Sequence, residues 1–324
     1  MDNEEKLIAF GPVPSRRLGH SMGINNIPPK ICTYSCVYCQ VGRTMRMQVR
    51  REEFYKPDDI IREVERKVEA AGKRNETIDY LTFVSDGEPT LDMNLGLEIT
   101  RLRKLGIRLA IITNASLMGM EEVRGDLGLL DWVSVKVDGV SGDVWRKIDR
   151  PHGTLDLDTI LAGVSEFARD FSGFLATETM LLEGMNDGHE ELEKIARFIG
   201  SLNPGGSYLS IPTRPPAEMK ARPAGESALA SAYQLFTEKG INTEYLIGYE
   251  GNAFAFTGDV EKDLLSITAV HPMRKDAVEE YLHKADAGWE AVNRLIAENK
   301  ILEISHRENV FYLRQFPNSR QRKS

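Results

Sequence analysis

Between about residues 56 and 250 the chain alternates two hydrophobic periods. The first helical segment covers 56–75, with Ile60, Ile61, Val64 and Val68 on one face and Asp58 and Asp59 near its start. DYLTFVSD (79–86) follows as a short apolar, β-rich run that ends in turn residues. The pairing then recurs. A helical stretch at about 92–105 leads to RLAIITN (108–114), and one near 120–130 leads to DWVSVKVD (131–138). Helices at 157–171, 189–202 and 227–240 lead to GFLATETMLL (173–182), SYLSIPT (207–213) and NTEYLIGY (242–249). SMGINN (21–26) supplies a first short strand. Strands separated by helices of roughly ten to fifteen residues build a parallel sheet. Six or seven such units are too few for a closed eightfold barrel, so the expected fold class is α/β, a partial (β/α)6-type barrel. Its chemistry belongs at the C-terminal ends of the strands.

From about Asp259 the strands stop. Helical patterns at 260–270, 275–285 and 287–299 come in succession, the last with Trp289, Val292, Leu295 and Ile296 on one face. ILEI, the polar turn SHREN and VFYLRQ then read as a hairpin. Three helices and a hairpin predict a small winged-helix-like domain, dividing the chain into 1–258 and 259–324. The basic, polar tail NSRQRKS is expected to be disordered. Residues 259–324 hold eleven Lys plus Arg against eleven Asp plus Glu, which is no electrostatic footprint for DNA. His306, Arg307, Arg314, Arg320, Arg322 and Lys323 are the candidates for phosphate contact. A module that docks a substrate or partner fits the charge balance better.

At 324 residues, 41% hydrophobic and 28% charged, the chain has the make-up of a globular enzyme. A net charge of -8 argues against nonspecific coating of nucleic acid, without excluding a local basic groove. MDNEEKLIAF has no secretion-signal pattern and no run approaches eighteen apolar residues. The expected location is cytoplasmic, without membrane attachment.

Cysteine use is the strongest chemical signal. All three cysteines, Cys32, Cys36 and Cys39, fall in the stretch CTYSCVYCQ. An odd, clustered set without a secretion signal is a poor disulfide framework. Zinc would need a fourth ligand, such as an outside histidine. A cubane iron–sulfur cluster held by three thiolates leaves one iron open to a ligand. Tyr38 adds an aromatic ring to shield the cluster or stack on a flat ligand. His20 and His152 have no partner at metal-ligand spacing.

CxxxCxxC with an aromatic before the last cysteine resembles the signature loop of the radical S-adenosylmethionine (radical SAM) superfamily. The resemblance implies a [4Fe-4S] cluster whose open iron chelates S-adenosylmethionine. Reductive cleavage then yields a 5′-deoxyadenosyl radical that takes hydrogen from a substrate. It also implies a low-potential electron donor of flavodoxin or ferredoxin type. SDGEPTL (85–91) looks like the family's Gly-Gly-Glu motif in a variant form. Gly87 lets backbone approach a ligand and Pro89 fixes the chain after it; by the resemblance Asp86, Gly87, Glu88 and Pro89 shape the cofactor site, with backbone groups and the Glu88 carboxylate placed to bind the cofactor's amine. Later strand ends supply Asn114, Lys136 and Asp138 for the cofactor, with Glu178 and Thr179 nearby. Asn186, Thr213 and Arg214 are candidates for cofactor or substrate. A lysine among apolar neighbours must reach solvent or meet a carboxylate, which makes Lys136 informative.

FGPVPSRRLGHSMGINNIPPK (10–30) reads as a proline-rich leading loop with Arg16 and Arg17 as donors ahead of the cluster. Arg43, Arg46, Arg50 and Arg51 follow it, so both flanks look basic. Across roughly residues 10–250 the chain resembles the subgroup that includes the tRNA wyosine synthases. It has neither the additional cysteines of the archaeal enzymes nor the flavin domain of the eukaryotic ones. The expected activity is hydrogen abstraction from an RNA, with tRNA the preferred class. The alternative is peptide or protein modification, including activation of a glycyl-radical enzyme. A reading of another class is an iron–sulfur sensor whose winged helix binds DNA. No residue is assigned a catalytic role by the sequence.

Overall fold

The computed structural model of the protein describes residues 8–247, 256, 259–270, 272–306 and 308–315. The tail NSRQRKS, Arg307, Arg320, Arg322, Lys323 and the expected domain boundary at 258 lie outside the described residues.

The chain opens with β1 (Ala9–Ser15) and β2 (Gly19–Ile24), an antiparallel hairpin. This corrects the expectation of a loop: Pro12 and Pro14 are tolerated because β1 is an edge strand, and the pairing shifts between Phe10 and Val13. Gly23 is required here, since a Cβ would lie 2.0 Å from the Phe10 ring that covers it. Two short strands follow, β3 (Ile31–Cys32) and β4 (Arg46–Met47), paired in parallel. Next come α1 (Pro57–Lys73), β5 (Tyr80–Phe83), α2 (Leu95–Leu102), β6 (Arg108–Thr113), α3 (Glu121–Leu127) and β7 (Trp132–Lys136). The chain continues through α4 (Gly142–Ile148), α5 (Leu157–Asp170), β8 (Phe174–Met180), α6 (His189–Leu202), β9 (Gly206–Ser210), α7 (Glu226–Glu238) and β10 (Thr243–Leu246). The short α4 was missed by the pattern, as was a 3-10 turn at Pro89–Leu91.

Eight strands form one sheet in the order β1-β2-β5-β6-β7-β8-β9-β10, parallel from β2 onward, and it curls as a partial barrel. The period-2 alternation divides its two faces. Leu81, Phe83, Leu109, Ile111, Val133, Val135, Leu175 and Leu209 pack in the main core with the apolar faces of the helices. Their neighbours Tyr80, Ala110, Ile112, Trp132, Ala176 and Tyr208 form an inner cluster. Leu18, from the β1–β2 turn, joins that inner cluster and closes it.

The last segment adds α8 (Val260–Val270), β11 (Met273–Arg274), α9 (Lys275–Lys284), α10 (Glu290–Ala297), β12 (Ile301–His306) and β13 (Asn309–Arg314). The hairpin is joined by a third strand, in the order β11-β13-β12. Val292 and Leu295 are buried, with Trp289 and Ile296 packed partly against the same core. Phe10 and Val13 of β1 belong to that core as well, so these helices rest on the barrel's edge strand. A buried ion pair, Lys67 Nζ to Asp263 Oδ1 at 3.8 Å, ties α1 to α8. No helix of the described residues is long and apolar enough to cross a membrane.

Candidate active site

The cysteines occupy the loop between β3 and β4, at the C-terminal side of the sheet. Backbone hydrogen bonds hold the loop on both flanks: Ser35 N to Asp149 O at 3.0 Å, Val37 N to Ile148 O at 2.9 Å, and Glu218 N to Val37 O at 2.9 Å. Cys32, Cys36 and Cys39 are half-buried and form no disulfide. Tyr34 N and Asn114 Nδ2 each lie 3.5 Å from Cys32 Sγ, and Cys36 Sγ donates to Asp149 Oδ1 at 3.3 Å. Burial pushes the Cys32 thiol up to about 12, and it also raises Cys36 and Cys39. A metal bound to such thiols would oppose this by stabilising the thiolates. Among the described residues no three His, Cys, Asp or Glu side chains converge on one point as ligands of a single ion would. A cubane asks each thiolate for a different iron.

The SDGEPTL turn packs against the same loop. Lys30 N donates to Asp86 O at 2.7 Å and Glu88 N to Ile31 O at 3.1 Å. Gly87 is indispensable, because a Cβ there would sit 1.8 Å from Ile31 O. The Glu88 carboxylate is fully engaged inside the protein. Oε1 accepts from Thr90 N (3.1 Å), Thr90 Oγ1 (2.6 Å) and Thr113 Oγ1 (2.6 Å), and Oε2 from Asn114 N (2.8 Å). Glu88 thus fastens the end of β5 to the end of β6. Asp86 differs: its buried Oδ1 has no hydrogen-bond partner among the described residues. Burial lifts its carboxyl to about 7, against the pull of Arg314 and Lys30.

Beneath the turn, Asp92 and Glu98 form a fully buried acid pair. Arg51 also serves the turn, donating to Thr90 O at 3.0 Å and Asp92 O at 2.8 Å. Burial, with Asp92 beside it, raises Glu98 to about 10. The unfolded chain loses this proton near pH 4.5 while the folded chain keeps it, so stability falls as pH rises between those values. Glu98→Gln removes the penalty. The melting-temperature difference, variant minus parent, is expected to grow from pH 6 to pH 9; a constant difference would refute the pairing.

The later strand ends close a pocket lined by Tyr34, Tyr38, Asn114, Lys136, Asp138 and Asp149. Asn114 donates to Thr33 Oγ1 at 2.8 Å, beside Cys32. Lys136 meets a carboxylate, Glu178 Oε1 at 3.0 Å, and lies 5.0 Å from the Tyr38 ring centroid. Arg17 reaches the other oxygen of Glu178 from the opposite end of the barrel. Burial alone would raise Glu178; Lys136 and Arg17 overcome it and hold the carboxyl near 2. Tyr38 donates to Asp138, whose other oxygen accepts from Met180 N at 2.7 Å. Trp145 Nε1 donates to Tyr34 Oη at 3.1 Å, fixing an aromatic wall.

Other candidates fall elsewhere. Asn186 spends both amide hydrogens on Asp138 O (2.7 Å) and Met180 O (2.8 Å) and accepts from Leu182 N (2.8 Å), so it clamps the loop after β8. Arg214 donates to Gln40 Oε1 at 2.8 Å, linking the PTRPP loop to the cysteine loop, with Thr213 half-buried beside it. Arg16 is exposed in the β1–β2 turn, near Tyr245 O. Arg16 and Arg17 therefore do not flank the cysteine loop, and the expected basic flank ahead of it is corrected. His152 donates its backbone N–H to Thr33 O at 2.9 Å, and its ring meets Thr154 Oγ1. Asp149 was overlooked because it directly follows α4; an acid before Arg-Pro at a helix end was the available signal.

The radical SAM superfamily pattern matches residues 26–199. A UPF0026 protein of Methanocaldococcus jannaschii is 47% identical over 310 residues, covering 95% of this chain and 96% of the relative. The ribosomal RNA large subunit methyltransferase N of Nitrosopumilus maritimus is 22% identical over 78% of this chain and 72% of its own length. Among solved structures, TYW1 with a lysine-pyruvate adduct bound aligns with a TM-score of 0.53 at 15% identity, covering 67% of this chain and 73% of that one. A radical SAM methyltransferase from Sphaerobacter thermophilus aligns at 0.54 and 15%, covering 70% and 66%. The chain belongs to the radical SAM superfamily, enzymes that use a [4Fe-4S] cluster and S-adenosylmethionine, and within it to the UPF0026 proteins.

Proposed function

We propose that Cys32, Cys36 and Cys39 hold the cluster, that S-adenosylmethionine occupies the adjoining pocket, and that the hydrogen is taken from an RNA. The carrying observation is that the three half-buried thiols share one loop whose sulfurs touch the pocket wall at Asn114 and Asp149. Three thiolates leave one corner of a cubane free. When bound, the cluster and S-adenosylmethionine supply the 5′-deoxyadenosyl radical. The protein's part is to position and to exclude water. Gly87 brings the turn's backbone against β3, and Asp86 offers a buried, unpartnered carboxyl oxygen to a cationic amine. Tyr38 is held by Asp138 as a lid over Lys136. In the Lys136–Glu178–Arg17 network one carboxylate holds two cations in place beneath the ligand.

The RNA assignment is supported by the Nitrosopumilus relative, a ribosomal RNA large subunit methyltransferase. We read residues 259–324 as a winged-helix-like module that docks the substrate onto the barrel, since its core includes Phe10 and Val13 of β1. The test uses deuterium. Enzyme, dithionite and S-adenosylmethionine are incubated with deuterated total RNA or with deuterated cell protein. Deuterium in 5′-deoxyadenosine from the RNA alone is expected; transfer from protein alone would overturn the RNA assignment and favour peptide modification.

A further inference from the structure

The outer face of the cysteine loop differs from the rest of this acidic protein. Residues 42–51, GRTMRMQVRR, carry four arginines and no carboxylate, in a chain of net charge -8. Arg51 is buried under the turn, while the Arg43 and Arg46 side chains are 72% and 57% exposed and Arg50 is exposed as well. Met45 and Met47 alternate with them at 53% and 36% exposure. Met219, 80% exposed, adjoins the loop through its neighbour Glu218, whose backbone N–H donates to Val37 O and whose carboxylate pairs with Arg43 at 2.8 Å. β4 pairs directly with β3, so this face stands one strand from Cys32, and Gly42 N donates to Cys39 O at 3.2 Å.

Two features separate the uses of such a face. Exposed thioethers contribute nothing to phosphate binding, whereas Met and Arg together are enriched where proteins meet, and Met repacks readily around a partner. Arg43 and Arg46 each pair with a carboxylate, Glu218 and Glu52, so the basic groups form separate contacts at the edge of the methionines, not a continuous phosphate track. Position adds the chemical reason. A cluster that must accept one electron per cleavage needs a carrier brought close to it, and this is the exposed side of its own loop.

We propose that the Met45, Met47 and Met219 face, rimmed by Arg43, Arg46 and Arg50, docks a small acidic one-electron carrier protein. The inference rests on the assignment of the cluster to Cys32, Cys36 and Cys39. One electron passes from the carrier's reduced centre to the oxidised cluster, and no atoms are exchanged. Electrostatic complementarity makes the encounter salt-dependent.

The experiment uses the reconstituted full chain and an acidic flavodoxin as probe. Binding of oxidised flavodoxin is titrated at low and high salt, and 5′-deoxyadenosine formation is measured with reduced flavodoxin and, separately, with dithionite. The double variant Arg46→Glu, Arg50→Glu and the single variant Met45→Glu are compared with the parent at matched melting temperature. Flavodoxin binding and flavodoxin-driven turnover are expected to fall at least about tenfold in each variant, with dithionite-driven turnover within about twofold of the parent. Unchanged flavodoxin binding in both variants would overturn the proposal. So would variants that lose only RNA retention, which would make the face an RNA surface. Failure of the parent chain to cleave S-adenosylmethionine with dithionite would instead sink the cluster assignment beneath it.

Discussion

Cys36→Ala is expected to abolish cluster assembly and S-adenosylmethionine cleavage together. The chain has three cysteines and all are committed to this loop, so no spare thiol replaces the lost ligand. Two thiolates cannot retain a cubane through reduction, and iron per chain should fall from about four toward zero. The fold gives the variant a fair trial. Cys36 is half-buried, its side chain bonds among the described residues to Asp149 Oδ1, and the loop is held by backbone bonds to Ile148, Asp149 and Glu218. A variant that folds, as judged by an unshifted far-ultraviolet spectrum, yet binds no iron separates ligand loss from unfolding. Parental iron content and turnover in that variant would remove the assignment.

Gly87→Ala comes second in expected effect. The added Cβ would meet Ile31 O at 1.8 Å, and that oxygen is backbone in β3, unable to rotate away. Either the turn or β3 must move, and the residue after Ile31 is Cys32. The folded state should lose about 1–3 kcal/mol, the usual cost of overpacking. Displacing a ligand-positioning turn by about 1 Å costs on the order of 100-fold in rate, so cleavage should fall by at least that factor. Iron content, S-adenosylmethionine binding and melting temperature measured on one preparation apportion the loss. Parental stability and turnover would contradict the close packing of turn on strand.

What the sequence revealed followed from range. The alternating periods disclosed seven parallel strands and their helical connections because each element buries a face with its own repeat. β1 escaped, since two prolines and a shifted pairing break the strand pattern. α4 escaped as well, and β11, two residues long, is too short to show a period. The cysteine loop and the SDGEPTL turn were legible because their residues are neighbours in sequence. Their partners were not. Arg17 and Glu178 are 161 residues apart, and Cys36 and Asp149 are 113 apart. The role of Glu88 shows the limit most clearly. Its acidic charge invited a ligand amine, yet hydrogen bonds from β6 and from Thr90 consume both oxygens. Asp86 in the same turn keeps the free oxygen that Glu88 was expected to offer.

The central claim is that this loop binds an open-iron cubane that cleaves S-adenosylmethionine. Anaerobic reconstitution with iron and sulfide, followed by dithionite reduction with S-adenosylmethionine, tests it in one preparation. The expected result is about four irons and four sulfides per chain, with 5′-deoxyadenosine formed. A protein that takes up zinc alone, or a cluster that never yields 5′-deoxyadenosine, would contradict it.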